Sequence, residues 1–191
     1  MKILTPFRAV TIAAALLAAL STSLGVALAS GTSRSGAADD TNPYVGVFDG
    51  DHNSPACVHS PYLLQRNEHN VIQFYTVAFN DKNPQLAVKL YGGSEYIQHN
   101  PLAANGFPAF IDFVTSFTTA FPTIHIDIRR VFADCDFVVT QSIASGPAEI
   151  YGPQGSKVVD IFRLDVRGKV VEHWDVQAQL SPTSANGNPE V

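Results

Sequence analysis

Two stretches near the end of the chain, "KVVDIFRL" (157–164) and "KVVEHWDVQAQL" (169–180), decide the fold. In each stretch, residues two positions apart form one set and the residues between them form another, as expected for the two faces of a β-strand. A tight turn through Val166, Arg167 and Gly168 separates them. We therefore predict an antiparallel hairpin in this part of the chain.

The segments before this hairpin complete an α+β plan. Apolar residues at helical spacing predict a first helix from about Asn67 to Phe79, with Asn67 as its N-cap. The other predicted elements are, in chain order, a helix at 84–91, a short extended piece at 92–101, a helix at 106–122, strands at 123–132 and 137–145, and a loop at 146–156. This order predicts one curved antiparallel sheet that wraps around about three helices and leaves a cavity between the layers.

The N-terminus reads as a secretory signal peptide over residues 1–29. Lys2 and Arg8 form a positive region, an apolar run follows, and Ala27-Leu28-Ala29 fits an A-x-A cleavage site. A single membrane anchor is the alternative, but the apolar run is short for a span of about 20 residues. We expect a secreted, extracytoplasmic protein with no membrane partner after cleavage.

Composition divides the rest of the chain. Residues 30–42 are predicted to be a flexible linker, 43–66 an irregular N-terminal extension, 67–180 the folded domain and 181–191 a tail. The formal net charge is −5 and the longest basic run is Arg129-Arg130, which argues against a nucleic-acid partner.

The chain has two cysteines, Cys57 and Cys135. In an exported protein an even number favours a disulfide. Two unrelated buried thiols are the alternative. Neither cysteine has a second Cys or a His at zinc-finger spacing, so we expect no structural zinc.

The predicted hairpin carries the candidate catalytic residues. Asp160 and Phe162 share one face of the first strand, and His173, Asp175 and Gln177 share one face of the second. If these faces line the cavity, the carboxylates lie in apolar surroundings, where they can exchange protons with a carbon next to a carbonyl group.

Two structural readings compete with this one. The aspartates could pair with His173 or with an arginine and have no other role. The orientation could also be reversed, because an inward Trp174 would turn His173 and Asp175 outward.

The segment "YIQHNP" (96–101) supplies a second group of candidates. His99 could orient a substrate at the pocket mouth, and Tyr96 and Gln98 could line the pocket. Alternatively, His99 is a turn residue that holds the loop by a backbone hydrogen bond. Together with His173 and Asp175 it could form a metal site, but the spacing does not require one, and we expect none.

Three segments resemble the SnoaL-like polyketide cyclases of the nuclear transport factor 2-like superfamily. They are "VIQFYTVAFNDKNPQLAVKLYGGSEYIQHNP", "VVDIFRLDVRGKVVEHWDVQ" and "NGN" near the terminus, and the likeness covers residues 67–188. The resemblance implies a cone in which a curved sheet surrounds three helices, often in a homodimer formed through the outer sheet face. It also implies that Asp175 is the general acid/base of an intramolecular aldol condensation that needs no metal or cofactor, and that Trp174 faces outward.

Three functions remain open on the sequence. The first is an acid/base enzyme for aldol condensation, isomerisation or dehydration, in which Asp175 acts with His173, Asp160 and His99. The second is a module that binds a small hydrophobic molecule without turnover, and the third is a structural protein that dimerises through the sheet. Tyr96, Gln98, Phe162 and Gln177 are the predicted binding residues.

Overall fold

The computed structural model describes residues 60–191. The predicted signal peptide, the linker, most of the extension and Cys57 lie outside these residues. The elements, in chain order, are α1 (Pro61–Tyr75), a π-helical turn (Thr76–Asn80), α2 (Pro84–Tyr91), β1 (Gly92–Gln98), α3 (Phe107–Ala120), β2 (His125–Asp134), β3 (Phe137–Ser145), α4 (Ala148–Tyr151), β4 (Ser156–Leu164) and β5 (Val170–Gln179).

The first helix begins at Pro61, so the predicted start at Asn67 is wrong, and so is the irregular structure expected for residues 61–66. Pro61 suits the first helical turn because a proline lacks the N–H that would have no partner there. Asn67 is 1% exposed within the helix, and its Oδ1 accepts from the Arg66 side chain. It lies one turn before Val71 on the buried stripe, so it cannot act as a cap.

The sheet has the order β1-β5-β4-β3-β2. The pairs from β2 to β5 are antiparallel, as predicted, and the hairpin of β4 and β5 pairs Asp160 with Asp175. The prediction of a wholly antiparallel sheet is wrong at one edge, because β1 joins β5 in parallel. Parallel pairing is possible there because a long connection, through α3 and three strands, separates the two.

Helices α1, α2 and α3 contribute apolar side chains to a core on the inner face of this sheet. Phe74 and Val114, from α1 and α3, are fully buried in it, and Val138 and Phe162 are fully buried on the sheet side. Register shifts in β2 and in the β4–β5 pair mark bulges, which bend strands. The result is the predicted α+β cone, with α4 as an additional short helix in the segment expected to be a loop.

Candidate active site

A cavity of about 240 Å³ lies between the inner face of the sheet and the helices. Phenylalanines from the helices, among them Phe110, Phe113 and Phe117, form much of its apolar wall. Its acidic and imidazole groups come from the sheet and are Asp160, His173 and Asp175. The cavity is therefore apolar on the helical side and carries ionisable groups on the sheet side.

The register of the sheet explains this grouping. Thr140 of β3 is opposite Asp160 of β4, and Asp160 is opposite Asp175 of β5. Directly opposed residues point to the same face, with Cβ atoms about 5 Å apart. The strands thus form one inward-facing polar row, and His173 lies on the next row, opposite Phe162.

Asp160 is the most enclosed member of the row, with an exposed fraction of 1%. The hydroxyl of Tyr75 donates to its Oδ1 at 2.6 Å, and Nε2 of His173 lies 3.1 Å from the same oxygen. Thr140 donates to Oδ2 at 3.3 Å. Every polar atom of this carboxyl group therefore has a partner, as burial requires.

Hydrogen-bond direction assigns a donor role to Nδ1 of His173. The backbone N–H of Asn100 donates to Oε1 of Gln98 at 2.9 Å, so this oxygen can only accept, and Nδ1 of His173, 3.0 Å away, must donate to it. The other ring nitrogen, Nε2, faces Oδ1 of Asp160 at 3.1 Å and the Tyr75 hydroxyl at 3.4 Å.

Asp160 and His173 thus form a buried pair in direct contact. Pairing offsets much of the cost of burying a carboxylate, which is several kcal/mol.

Asp175 has a different environment. It is half-buried, it borders the cavity, and the side-chain amide of Asn100 donates to both of its oxygens, at 3.0 Å and 2.8 Å. Asn100 belongs to the loop between β1 and α3, so this loop holds the carboxylate in place. Both oxygens of Asp175 therefore have a donor, although the side chain still borders the cavity.

Tyr75, Tyr96 and Tyr151 also border the cavity. Burial, followed by the nearby negative charge of Asp160, raises the pKa of each phenol well above its ordinary value. These tyrosines therefore stay protonated at neutral pH and act as donors. The Tyr96 hydroxyl accepts from the amide nitrogen of Gln98 at 3.1 Å, and its proton remains for a ligand.

The family model of the SnoaL-like polyketide cyclases matches residues 69–184. The chain belongs to this family. Membership supports the role of a cyclase or isomerase on a small molecule.

Solved structures of similar proteins share the cone. A protein named as a SnoaL-like polyketide cyclase from a Jannaschia species is 20% identical, with a TM-score of 0.51 over 63% of this chain and 90% of that one. A protein named as a polyketide cyclase from Bacillus cereus is 18% identical, with a TM-score of 0.51 over 65% and 85%. A comparison with curated proteins finds no match.

His99 does not border the cavity of this SnoaL-like protein, so the structure does not bring it to the other predicted catalytic residues. Its ring stacks on Trp174 with centroids 4.5 Å apart, and Nε2 lies 2.8 Å from Glu172. Side chains alternate along a strand, so the residue after Gln98 points away from the cavity. The predicted outward orientation of Trp174 is found.

The predicted binding residues divide into two groups. Tyr96, Gln98 and Gln177 border the cavity, with Gln177 solvent-exposed near its edge. Phe162 does not border it. Its ring is fully buried behind the site, with its centroid 5.2 Å from that of Tyr75 and 4.8 Å from that of His173.

Asn100 and Tyr75 are site residues that the sequence analysis missed. The signal for Tyr75 was present, because it belongs to the apolar stripe of the first helix and carries a polar group that needs a partner when buried. Asn100 gave no such signal, because its contact with Asp175 joins residues 75 positions apart.

Cys135 is buried and is not a free thiol. Its predicted partner Cys57 lies outside the described residues, so the pairing stays a prediction. Within residues 60–191, no three His, Cys, Asp or Glu side chains form a group able to hold a metal ion. None of the helices in this part of the chain is long and apolar enough to cross a membrane.

Proposed function

We propose that this protein is a cofactor-independent acid/base enzyme that acts on a small carbonyl compound. The observation that carries the proposal is the position of Asp175. This carboxylate borders an apolar cavity, next to the buried Asp160–His173 pair, and both of its oxygens accept from Asn100.

In the proposed reaction, Asp175 removes a proton from the carbon next to the substrate carbonyl. The electron pair of the broken C–H bond forms a carbon–carbon double bond, and negative charge moves to the carbonyl oxygen. Tyr96 is a suitable donor to this oxygen, because its phenol stays protonated and Gln98 fixes its hydroxyl. Desolvation by the phenylalanine wall strengthens such a hydrogen bond.

Two outcomes then follow from the same intermediate. In an aldol condensation, the enolate carbon attacks a second carbonyl group of the substrate, and Asp175 returns the proton to the new alkoxide. In an isomerisation, Asp175 returns the proton to a different carbon. Both sequences balance without a metal, an oxidant or an added base.

Deuterium exchange at the carbon next to a carbonyl tests the first step alone. With 1-tetralone in D₂O, the wild type should accelerate exchange, and Asp175→Asn should slow it by about 10²-fold or more, in the range of a lost general base. Asp127→Asn is the control, because Asp127 lies on the surface and pairs with Arg129. Equal exchange rates for Asp175→Asn and the wild type would refute the proposed role of Asp175.

A binding module for a small hydrophobic molecule is the second candidate. The phenylalanine wall favours it, since such a wall binds apolar ligands whether or not turnover follows. Retained binding of 1-tetralone, with no exchange by the wild type, would select this function.

The homodimer is also a proposal. The outer sheet face carries exposed apolar residues, with Val176 69% and Phe132 57% exposed, and Trp174 lies on the same face. A second copy of the chain would cover them. Light scattering of the wild type and of Val176→Lys tests this, with a dimer expected only for the wild type.

Export remains the proposed localisation, because residues 1–29 read as a signal peptide. Mass spectrometry of the protein recovered from the medium should give a mass that begins after Ala29. A mass that includes residues 1–29 would contradict cleavage at this site.

A further inference from the structure

Ser142 has a hydroxyl group that lacks a hydrogen-bond partner among residues 60–191. It is fully buried on β3, it borders the cavity, and its Oγ makes no hydrogen bond within residues 60–191. A buried hydroxyl without a partner costs about 1–3 kcal/mol, so such groups are rare and need an explanation.

A second serine of the same sheet shows the usual situation. Ser156 of β4 is also fully buried, but its hydroxyl donates to the backbone oxygen of Tyr151 at 3.0 Å. The two residues thus form a matched pair: the fold uses the hydroxyl of Ser156, whereas Ser142 borders the cavity and its hydroxyl is not bonded within residues 60–191.

The register places Ser142 at a defined distance from the catalytic row. Ser142 follows Thr140 by two residues on β3, and Thr140 is opposite Asp160. A diagonal of this kind separates the Cα atoms of Ser142 and Asp160 by about 7–8 Å. Asp175 lies one strand further on, opposite Asp160, so its Cα atom is roughly 12 Å from that of Ser142. A two-ring ligand with an oxygen at each end can bridge this gap, with its carbonyl beside Asp175 and its second oxygen at Ser142.

The cavity volume limits how large this ligand can be. A cavity of about 150 Å³ lined by apolar side chains binds benzene. The 240 Å³ available here is more than one ring requires, and it suits one or two fused rings. Four fused rings would need a much larger space.

We infer that the site binds a one- or two-ring carbonyl compound whose far end carries a hydroxyl or carbonyl oxygen, and that Ser142 bonds this oxygen. The inference deepens the proposed function, since it takes the carbonyl end to lie beside Asp175. It assigns a specificity role to a residue outside the acid/base group.

Calorimetric binding of 1-tetralone and 6-hydroxy-1-tetralone tests the role of Ser142. These bicyclic ketones differ only in a hydroxyl group at the end opposite the carbonyl. The wild type should bind the hydroxylated compound roughly 2- to 10-fold more tightly, the effect of one hydrogen bond. Ser142→Ala should remove this difference, and an equal preference in wild type and variant would overturn the assignment.

The thermal stability of two serine variants is the control for a structural role. Ser156→Ala should lower the melting temperature, because it removes a hydrogen bond of the fold. Ser142→Ala should leave the melting temperature unchanged or raise it. A decrease as large as that of Ser156→Ala would show that the fold uses the Ser142 hydroxyl, and would overturn the inference.

The size limit has its own test. Xanthone, with three fused rings in a row, should bind roughly 10-fold or more weakly than 1-tetralone, because overfilling a packed site is costly. Equal affinity would refute the limit. All these measurements record binding, so they can succeed even if the proposed activity is absent. A protein that prefers 6-hydroxy-1-tetralone but exchanges no protons would refute the proposed acid/base activity and support the assignment of the ligand.

Discussion

Replacement of Asp160 offers the sharpest test of the buried network. Asp160→Ala leaves the Tyr75 hydroxyl and Nε2 of His173 without the carboxyl oxygen that both contact, at 2.6 Å and 3.1 Å. The two groups then keep only their mutual contact, which is long at 3.4 Å. Each buried group without a good partner costs about 1–3 kcal/mol, so the free energy of unfolding should fall by about 2–6 kcal/mol. This is a large part of the 5–15 kcal/mol that is typical of a domain.

Two milder variants make the test graded. Asp160→Asn keeps the volume, and its oxygen can still accept from Tyr75 while its amide nitrogen donates to the Thr140 hydroxyl, so the loss should stay near about 1 kcal/mol. Tyr75→Phe removes a single donor to a carboxyl group and should cost about 1.5–3 kcal/mol. The expected order of stability is wild type, Asp160→Asn, Tyr75→Phe, Asp160→Ala.

Urea unfolding followed by fluorescence measures these differences. Trp174 is the only tryptophan, and it lies on β5 next to His173, so its emission reports on this part of the sheet. The slope against urea should remain constant, so that a shifted midpoint reports stability alone. The reasoning would be refuted if Asp160→Ala and Tyr75→Phe both unfolded within about 0.5 kcal/mol of the wild type, which is the scatter expected for unimportant surface positions.

Two other predictions concern the tyrosines and His99. Burial raises the pKa of Tyr75, Tyr96 and Tyr151 above the ordinary 10.0. Above about pH 10 these tyrosines therefore lose a proton more easily in the unfolded chain than in the folded one. The free energy of unfolding should be constant below this pH and should fall above it, by up to about 1.4 kcal/mol per pH unit for each tyrosine. Urea unfolding at several alkaline pH values measures this loss, and tyrosinate absorbance from these residues before unfolding would contradict it. His99→Ala should keep proton exchange within about twofold and cost about 1 kcal/mol through the lost stacking on Trp174. A loss of exchange as large as that of Asp175→Asn would return His99 to the catalytic group.

The strands were predictable because their period and their burial agree. In β4 every second residue is buried, and Asp160 and Phe162 are on the buried face, as the alternation in the sequence indicates. The same rule predicts an outward Trp174. Applied to β1, it also predicts that Tyr96 and Gln98 share a face and that His99 does not, so the expected position of His99 at the pocket mouth disagreed with this alternation.

The start of the first helix and the partners of the site were harder to predict. Pro61 is a known signal for a first helical turn, but three prolines between 43 and 61 favoured irregular structure. The contact of Asn100 with Asp175 depends on the path of a loop and on pairing between distant strands. Local periodicity carries no information on either, and the same holds for the unused hydroxyl of Ser142.

The parallel pairing of β1 with β5 has a consequence for the order in which the molecule forms. Gln98 stands opposite His173 in this pairing. The hydrogen bond that fixes the proton on Nδ1 of His173 therefore joins β1 to β5, the first and last strands within residues 60–191. Pairing β1 with β5 closes a long loop of chain, which is slow. The entropic cost of this closure must be met before the contact can stabilise the fold. A nascent chain, or one truncated before β5, can form the helices and the β2–β3 hairpin, but not the hydrogen bonds that join Gln98, His173 and Asp160. During refolding, the chain should therefore begin to bind ligand only in the slowest kinetic phase. Ligand binding would then report that β1 and β5 have paired.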